Sequence, residues 1–247
     1  MRKFGLIGYP LSHSFSKKYF AGKFEKDGIS DAQYELYPLK SIKELPQLIW
    51  GNQDLIGLNV TIPYKEQVIP YLNAIDPKAQ EIGAVNTIKI QDGKLTGYNS
   101  DFYGFKDSLV KFIGAQPMPK KALILGTGGA SKAVKATLED LLIEYRFVSR
   151  KPVAGQISYE EVNSSPHHIS SSFLIINTTP LGMIPNENSL PDLPYDLLTQ
   201  DNFLYDLVYN PMNTSFMQKG IEAKCWVKNG LEMLHGQAEK SWEIWNK

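Results

Sequence analysis

The sequence predicts an α/β protein of two domains, the first of them built on a mainly parallel sheet with helices on its faces. Three observations lead there. Short apolar, strand-like runs alternate with stretches of helical periodicity along almost the whole chain. A connector rich in proline, Gln116-Pro-Met-Pro119, follows Gly114 and separates two such alternating series. The second series opens on an apolar run that leads straight into a glycine-rich loop.

In chain order, Phe4 to Gly8 is the first strand and Tyr34 to Tyr37 the second. Ser41 to Trp50 has helical spacing of apolar residues, and Gly57 to Ile62 alternates apolar with polar before Pro63. Tyr64 to Leu72 again has helical spacing, and Ala84 to Ile90 is the next strand. Asp92-Gly93 is a hairpin turn signal. After the polar stretch Gly97 to Asp101, a helix from Tyr103 to Phe112 ends at Gly114, which puts a boundary near residue 101 with helix 102–113 as the bridge. Beyond the connector come strands Ala122 to Leu125, Arg146 to Val148, Phe173 to Ile176 and Phe203 to Leu207. A helix follows the first of these, with Ala130, Val134, Leu138 and Leu141 on one face.

The 247 residues carry 26 Lys plus Arg against 26 Asp plus Glu, so a nucleic acid or an anionic membrane is not an expected partner. No apolar run reaches the ~18 residues of a membrane span, and Met1-Arg-Lys leads directly into a strand, so a cytoplasmic protein is expected. The single cysteine, Cys225, lies in the strand-like Ala-Lys-Cys-Trp-Val and is read as a buried structural thiol.

Polar residues gather where predicted strands end. Asn59-Val-Thr61-Ile-Pro-Tyr-Lys65 delivers two short polar side chains and a lysine to a strand end, where open α/β sheets bind their ligands. The first strand ends in Gly8-Tyr-Pro-Leu-Ser12-His13-Ser14-Phe-Ser16, whose hydroxyls suit a carboxylate or a polyol; helix capping is the alternative use, and a backbone-satisfied turn is the alternative for His13. Asn86 follows Ala84-Val85, and Asp101 closes Asn99-Ser100-Asp101, where it can equally serve as an N-cap. Lys65 in isolation would be an ordinary surface lysine. No second histidine or cysteine stands at ligand spacing, so no metal is expected.

In Gly126-Thr127-Gly128-Gly129-Ala130-Ser131, between strand and helix, Gly126 suits a tight turn and Gly128 a close approach of a pyrophosphate to the backbone. This is the Rossmann-type dinucleotide fingerprint, with Ser131 where a third glycine is usual; a glycine turn without a ligand is the alternative. The next strand ends in Ser149-Arg150-Lys151, with no acid for ribose hydroxyls and two cations suited to a 2′-phosphate, which favours NADP over NAD. A solvated basic turn is the other reading.

Together these residues resemble the shikimate dehydrogenase family. The resemblance covers nearly the whole chain in eight ordered motifs: Gly8 to Ser16, Asn59 to Lys65, Gly83 to Thr87, Asn99 to Asp101, Gly126 to Ala130, Asn177 to Met183, Asp206 to Pro211 and Gly230 to Gln237. It implies that Ser14 and Ser16 bind the substrate carboxylate, and that Asn59, Thr61, Asn86, Asp101 and Gln237 bind its hydroxyls. Lys65 and Asp101 would be the catalytic pair. Gly126, Thr127, Gly128, Gly129 and Ala130 would hold the cofactor with Ser149, Arg150 and Lys151. Asn177 to Met183, including Thr178, Gly182 and Met183, would line the nicotinamide with Leu207, Tyr209 and Gly230, and Tyr209 would also meet the substrate. The implied domains are 1–101 plus 231–247 for substrate and 102–230 for NADP, with the last helix packing back on the first domain. The implied activity is reversible NADPH-dependent reduction of 3-dehydroshikimate to shikimate, by a monomer or homodimer. A quinate/shikimate dehydrogenase with relaxed cofactor use and a non-catalytic dinucleotide-binding regulator are the alternatives, and a folate dehydrogenase is disfavoured by the serine pair. The chain departs from the family pattern at Phe102, where glycine is usual, and at Lys17, where proline is usual.

Overall fold

Alternating apolar side chains on each strand divide this molecule's cores onto the two faces of two sheets. The computed structural model describes residues 1–11, 14–170 and 173–247, so Ser12 and His13 lie outside the described residues. The chain forms two compact units, Met1–Ser100 with Gln237–Lys247, and Asp101–Gly236.

The first unit contains β1 (Arg2–Gly8), α1 (Phe15–Lys26), β2 (Ala32–Pro38), α2 (Leu45–Gly51), β3 (Leu55–Val60), β4 (Ala74–Ile75), α3 (Pro77–Ile82), β5 (Thr87–Gln91) and β6 (Lys94–Tyr98). Its sheet runs β2-β1-β3-β5-β6-β4, with parallel pairs β1·β2, β1·β3 and β4·β6 and antiparallel pairs β3·β5 and β5·β6. Local chemistry sets the ends of these elements. Asp76 caps α3 by accepting from Lys78 and Ala79 N–H groups, Pro77 occupies the first helical position, and Gly83 ends the helix at φ 69°. Asp92 and Gly93 take φ of 50° and 72°, which is the primed turn geometry that lets β5 and β6 pair as a tight hairpin. One sheet face packs Ile7, Leu58, Val60, Tyr64, Val85 and Ile88. The other packs Phe4, Leu6, Phe20 and Tyr34 against Trp245 of the last helix.

The second unit continues with α4 (Ser100–Ile113), β7 (Lys121–Leu125), α5 (Gly129–Asp140), β8 (Glu144–Ser149), β9 (Ile157–Ser158), α6 (Tyr159–Ser164), α7 (His167–Ser170), β10 (Leu174–Asn177), β11 (Phe203–Asp206), α8 (Ser215–Glu222), β12 (Trp226–Lys228) and α9 (Leu231–Asn246). Its sheet is parallel throughout, in the order β12-β11-β10-β7-β8-β9. Read from β9 to β12 and numbered within the unit, this is 3-2-1-4-5-6, with the switch point between its first and fourth strands. The sequence places all of 231–247 with the first domain; in the structure α9 is shared, its residues through Gly236 clustering with the second unit and those from Gln237 with the first.

Several elements differ from expectation: the strand expected to Ile62 ends at Val60, and the helix expected from Ser41 opens as a 3-10 turn at Ile42–Glu44 before α2. Residues 64–72 form turns and a short 3-10 helix at Ile69–Tyr71, because Pro70 has no N–H to give the Glu66 carbonyl that an α-helix would require. The strand expected from Ala84 begins at Thr87, since Val85 N–H donates to the Lys65 carbonyl (2.7 Å) and Asn86 N–H to the Tyr98 carbonyl (3.0 Å). Among the described residues no helix is long and apolar enough to cross a membrane.

Candidate active site

In the first unit, the antiparallel register of β3 and β5 sets Asn59 opposite Thr87. Around that pair a knot of buried side chains forms. Asn59 Nδ2 donates to Ser241 Oγ (2.8 Å) and, at 3.3 Å, to Thr87 Oγ1 and the Asn86 carbonyl, while the Tyr34 hydroxyl donates to Asn59 Oδ1 at 2.8 Å. Asn86 Nδ2 donates to Ser100 Oγ (3.0 Å), and its Oδ1 accepts from the Ser100 N–H (2.6 Å). The hydroxyls of Thr87 and Ser241 lie 2.8 Å apart, and those of Ser241 and Ser100 3.0 Å. Ser241 Oγ also donates to the Gln237 carbonyl (2.9 Å), and Ser100 Oγ to Gln237 Oε1 (3.4 Å). Three residues named from the sequence, Asn59, Asn86 and Gln237, thus meet in one network with their amide orientations determined by their partners. Burial pushes the Tyr34 phenol up in pKa, a hydrogen bond with Ser16 opposing it, so Tyr34 stays a donor to Asn59.

Thr61 follows β3 in a turn in which its N–H donates to the Ile7 carbonyl (2.9 Å) and its carbonyl accepts from Tyr64 N–H (2.9 Å). A Cβ on Gly8 would stand 2.5 Å from Thr61 Cγ2, so glycine is what lets the two strand ends approach. Lys65 is half-buried, its carbonyl held by Val85 N–H one residue from Asn86. Ser14 is the N-cap of α1 yet makes no side-chain cap bond, and its buried Oγ has no hydrogen-bond partner among the described residues. The capping alternative therefore fails for Ser14, whose side chain makes no cap bond.

In the second unit, β7 leads into Gly126, whose N–H donates to the Val148 carbonyl (2.9 Å) and whose φ of +96° favours glycine. Gly128 precedes α5 without a side-chain cap, and a Cβ there would meet nothing within 4 Å. Ser131, in the place of a third glycine, turns inward and donates to the Gly128 carbonyl (2.6 Å). Ser149 ends β8 and accepts from Lys151 N–H (3.2 Å), while Arg150 and Lys151 are exposed. Asp101 is buried in the first turn of α4, within the helix rather than at its cap.

In the loop after β10, Thr178 Oγ1 donates to the Leu125 carbonyl (2.7 Å), which ties that loop to the end of β7. The side chains of Asn177, Asp206 and Thr214 are joined below it. Sequence reasoning left out Tyr34, Thr87, Ser100 and Ser241 as members of the knot. Thr87 and Ser100 stood inside motifs already singled out, and Ser241 stands four residues after Gln237 on one helix face.

A family model described as the shikimate dehydrogenase substrate binding domain matches residues 6–88, inside the first unit. A curated shikimate dehydrogenase (NADP(+)) of Carboxydothermus hydrogenoformans is 38% identical over 256 residues, spanning 98% of this chain and 90% of that protein. The chain belongs to the shikimate dehydrogenase family. Among solved members of the family, shikimate dehydrogenase 1 from Peptoclostridium difficile is 39% identical with a TM-score of 0.85, covering 100% of this chain and 92% of its own. The Thermus thermophilus shikimate 5-dehydrogenase, solved in complex with NADP(H) and shikimate, is 29% identical with a TM-score of 0.84, covering 99% and 93%.

Proposed function

We propose that the chain is an NADP-dependent shikimate dehydrogenase that reduces 3-dehydroshikimate to shikimate, reversibly, in the supply of chorismate and aromatic amino acids. The observation that carries this reading is the buried knot of the first unit, which draws Asn59, Asn86 and Gln237 together and pins the Lys65 backbone beside them. A cluster of amides and hydroxyls held in fixed orientation beside Lys65 suits a site for a small polyhydroxylated acid. The orphaned Ser14 hydroxyl, with Ser16, suits the carboxylate, and Thr61 and Asp101 complete the hydroxyl contacts.

The glycine loop fits a dinucleotide. Gly128 leaves open the space a side chain would fill, and the first turn of α5 has no side-chain cap, so its N–H groups suit a pyrophosphate. Gly126, Thr127, Gly129 and Ala130 belong to the same cradle; Arg150 and Lys151, with Ser149, suit a 2′-phosphate; and Thr178, Gly182, Met183, Leu207, Tyr209 and Gly230 are the residues for the nicotinamide end. When bound, NADPH supplies the hydride. The substrate and cofactor domains then follow the two units, Met1–Ser100 with Gln237–Lys247 and Asp101–Gly236.

As the ketone carbon gains hydride, negative charge grows on its oxygen. Lys65 hydrogen-bonds that oxygen as an ammonium and gives it a proton, so the ketone becomes an alcohol and lysine is left neutral. Asp101 follows Ser100, which is bonded to Asn86, and is the residue we assign as the partner of Lys65 in this step. Proton transfer of this kind is worth about 10²- to 10⁴-fold in rate. Lys65→Ala is expected to lose kcat on that scale with KM little changed; a turnover equal to the parent would remove lysine from the mechanism. The enzyme is read as cytoplasmic, a monomer or homodimer, with no nucleic-acid or membrane partner. Absorbance at the NADPH band, followed with shikimate and NADP and then with quinate and NAD, tests the whole reading, and no reduction of NADP by shikimate would overturn it.

A further inference from the structure

Asp206, at the end of β11, is a fully buried carboxylate that the mechanism above does not use. Three donors converge on it: Thr214 Oγ1 at 2.5 Å, Asn177 Nδ2 at 2.9 Å and Val208 N–H at 3.0 Å. Asn177 and Thr214 lead on to the 177–183 loop of the proposed cofactor site, and Val208 leads on to Gly230. Asn177 Oδ1 accepts from Thr179 N–H (3.0 Å) and Thr179 Oγ1 (2.6 Å), and Thr179 Oγ1 in turn accepts from Leu181 N–H (3.3 Å). The methyl of Thr179 stands 2.8 Å from where a Cβ of Gly126 would be, so the fold of this loop bears directly on the glycine that starts the pyrophosphate cradle. Val208 accepts at its carbonyl from Gly230 N–H (3.1 Å), and a Cβ on Gly230 would collide with the Leu207 backbone. Thr214, bonded to Asp206, packs its methyl 3.3 Å from the Cβ position of Gly182.

We propose that Asp206 is a positioning residue for the dinucleotide: one buried carboxylate sets the mutual placement of the glycine loop, the 177–183 loop, the 207–209 segment and Gly230. It touches neither cofactor nor substrate and acts through Asn177, Val208 and Thr214. The inference rests on the cofactor reading above. A carboxylate serves here because donors from three segments meet at it, and a buried anion is stabilised only when such donors surround it. Burial pushes its pKa up to about 6 in spite of them, which is the mark of a charge kept in a dry place. Among the described residues, the titratable group that feels this carboxylate is the Tyr195 phenol, itself pushed up mainly by burial and neutral at working pH.

The test measures KM for NADP and for shikimate, with kcat and Tm, in the parent, Asp206→Ala, Asp206→Asn and Thr179→Val. Asp206→Ala is expected to raise KM for NADP about ten-fold, because sub-ångström misplacement of binding segments has effects of this size. KM for shikimate should stay within about two-fold, and Asp206→Asn, which keeps the shape and the acceptor, should recover most of the loss. Thr179→Val removes only the outer link and covers the case in which the alanine variant does not fold; it should raise KM for NADP about three-fold at unchanged Tm. Equal losses toward both substrates, or a KM for NADP that no folded variant moves, would overturn the proposal. If the parent itself shows no saturable use of NADP, the cofactor reading falls first, and this inference falls with it.

Discussion

Ser14, proposed to bind the substrate carboxylate, is the side chain at which effects on binding and on stability should part most clearly. Its Oγ is buried with no hydrogen-bond partner among the described residues, an arrangement that costs the fold free energy. Ser14→Ala removes that cost. The variant should melt at the same temperature as the parent or slightly above it, while its Kd for shikimate rises about ten-fold, as read by calorimetry and thermal denaturation together. A variant that lost both stability and affinity would mean the hydroxyl is structural. The asparagines behave in the opposite way. Asn59 commits its amide to Tyr34, Ser241, Thr87 and the Asn86 carbonyl, so truncating it would disturb the fold and the site together. Cys225 takes no part in either unit's site: burial pushes its thiol up to about 11, and its Sγ donates to the Thr199 carbonyl (3.1 Å), so it stays protonated and unreactive.

The closing stretch of α9 shows how one element serves core and site at once. Trp245 is nearly fully buried, donates its indole N–H to the Ile88 carbonyl (2.9 Å) and lies 4.9 Å from the Phe4 ring and 5.5 Å from the Phe20 ring. One turn earlier the same helix supplies Ser241 to the knot around Asn59. Gly57 on β3 makes this docking possible, since a Cβ there would stand 2.5 Å from the indole. Trp245→Ala is expected to destabilise the first unit by about 3 to 5 kcal/mol. Gly57→Ala should do so by about 1 to 3 kcal/mol through overpacking. Both changes should also raise KM for shikimate, because Ser241 and Gln237 are carried on the displaced helix. Urea denaturation followed by tryptophan fluorescence gives the stabilities, and a Gly57→Ala protein as stable as the parent would show that the helix is docked by something else.

Across the chain the charges balance, and the pH response comes from individual groups rather than from net charge. In the second unit Asp206 has a folded pKa of about 6, above its ordinary value of 3.8. A carboxyl raised in this way gives stability that is fully present below the unfolded pKa and is lost as pH rises through the folded one. Between about pH 4 and pH 7 the parent should therefore lose stability relative to Asp206→Asn, by up to about 2 or 3 kcal/mol on the order-of-magnitude scale of such shifts. Thermal melts of both proteins across that range check it, and parallel curves would contradict it. Much of this architecture was legible in the chain itself. The strand and helix periods, the Asp92-Gly93 turn and the glycine loop are all local patterns, and local patterns survive in a one-dimensional reading; the last helix entered only through the family resemblance. The ends of elements at Thr61, Ala84 and Pro70 were less legible, because there the backbone bonds to distant segments or lacks a donor. The knot and the carboxylate hub were not legible at all: Asn59 and Ser241 stand 182 positions apart, and Asp206 lies 29 from Asn177. Sequence patterns carried the fold class, the family and the residue types its chemistry needs. Which amides face which hydroxyls, which serine among the described residues is left without a partner and which carboxylate gathers Asn177, Val208 and Thr214 were settled by strand register and burial, since a hydrogen bond depends on distance in space and a pattern records only distance along the chain.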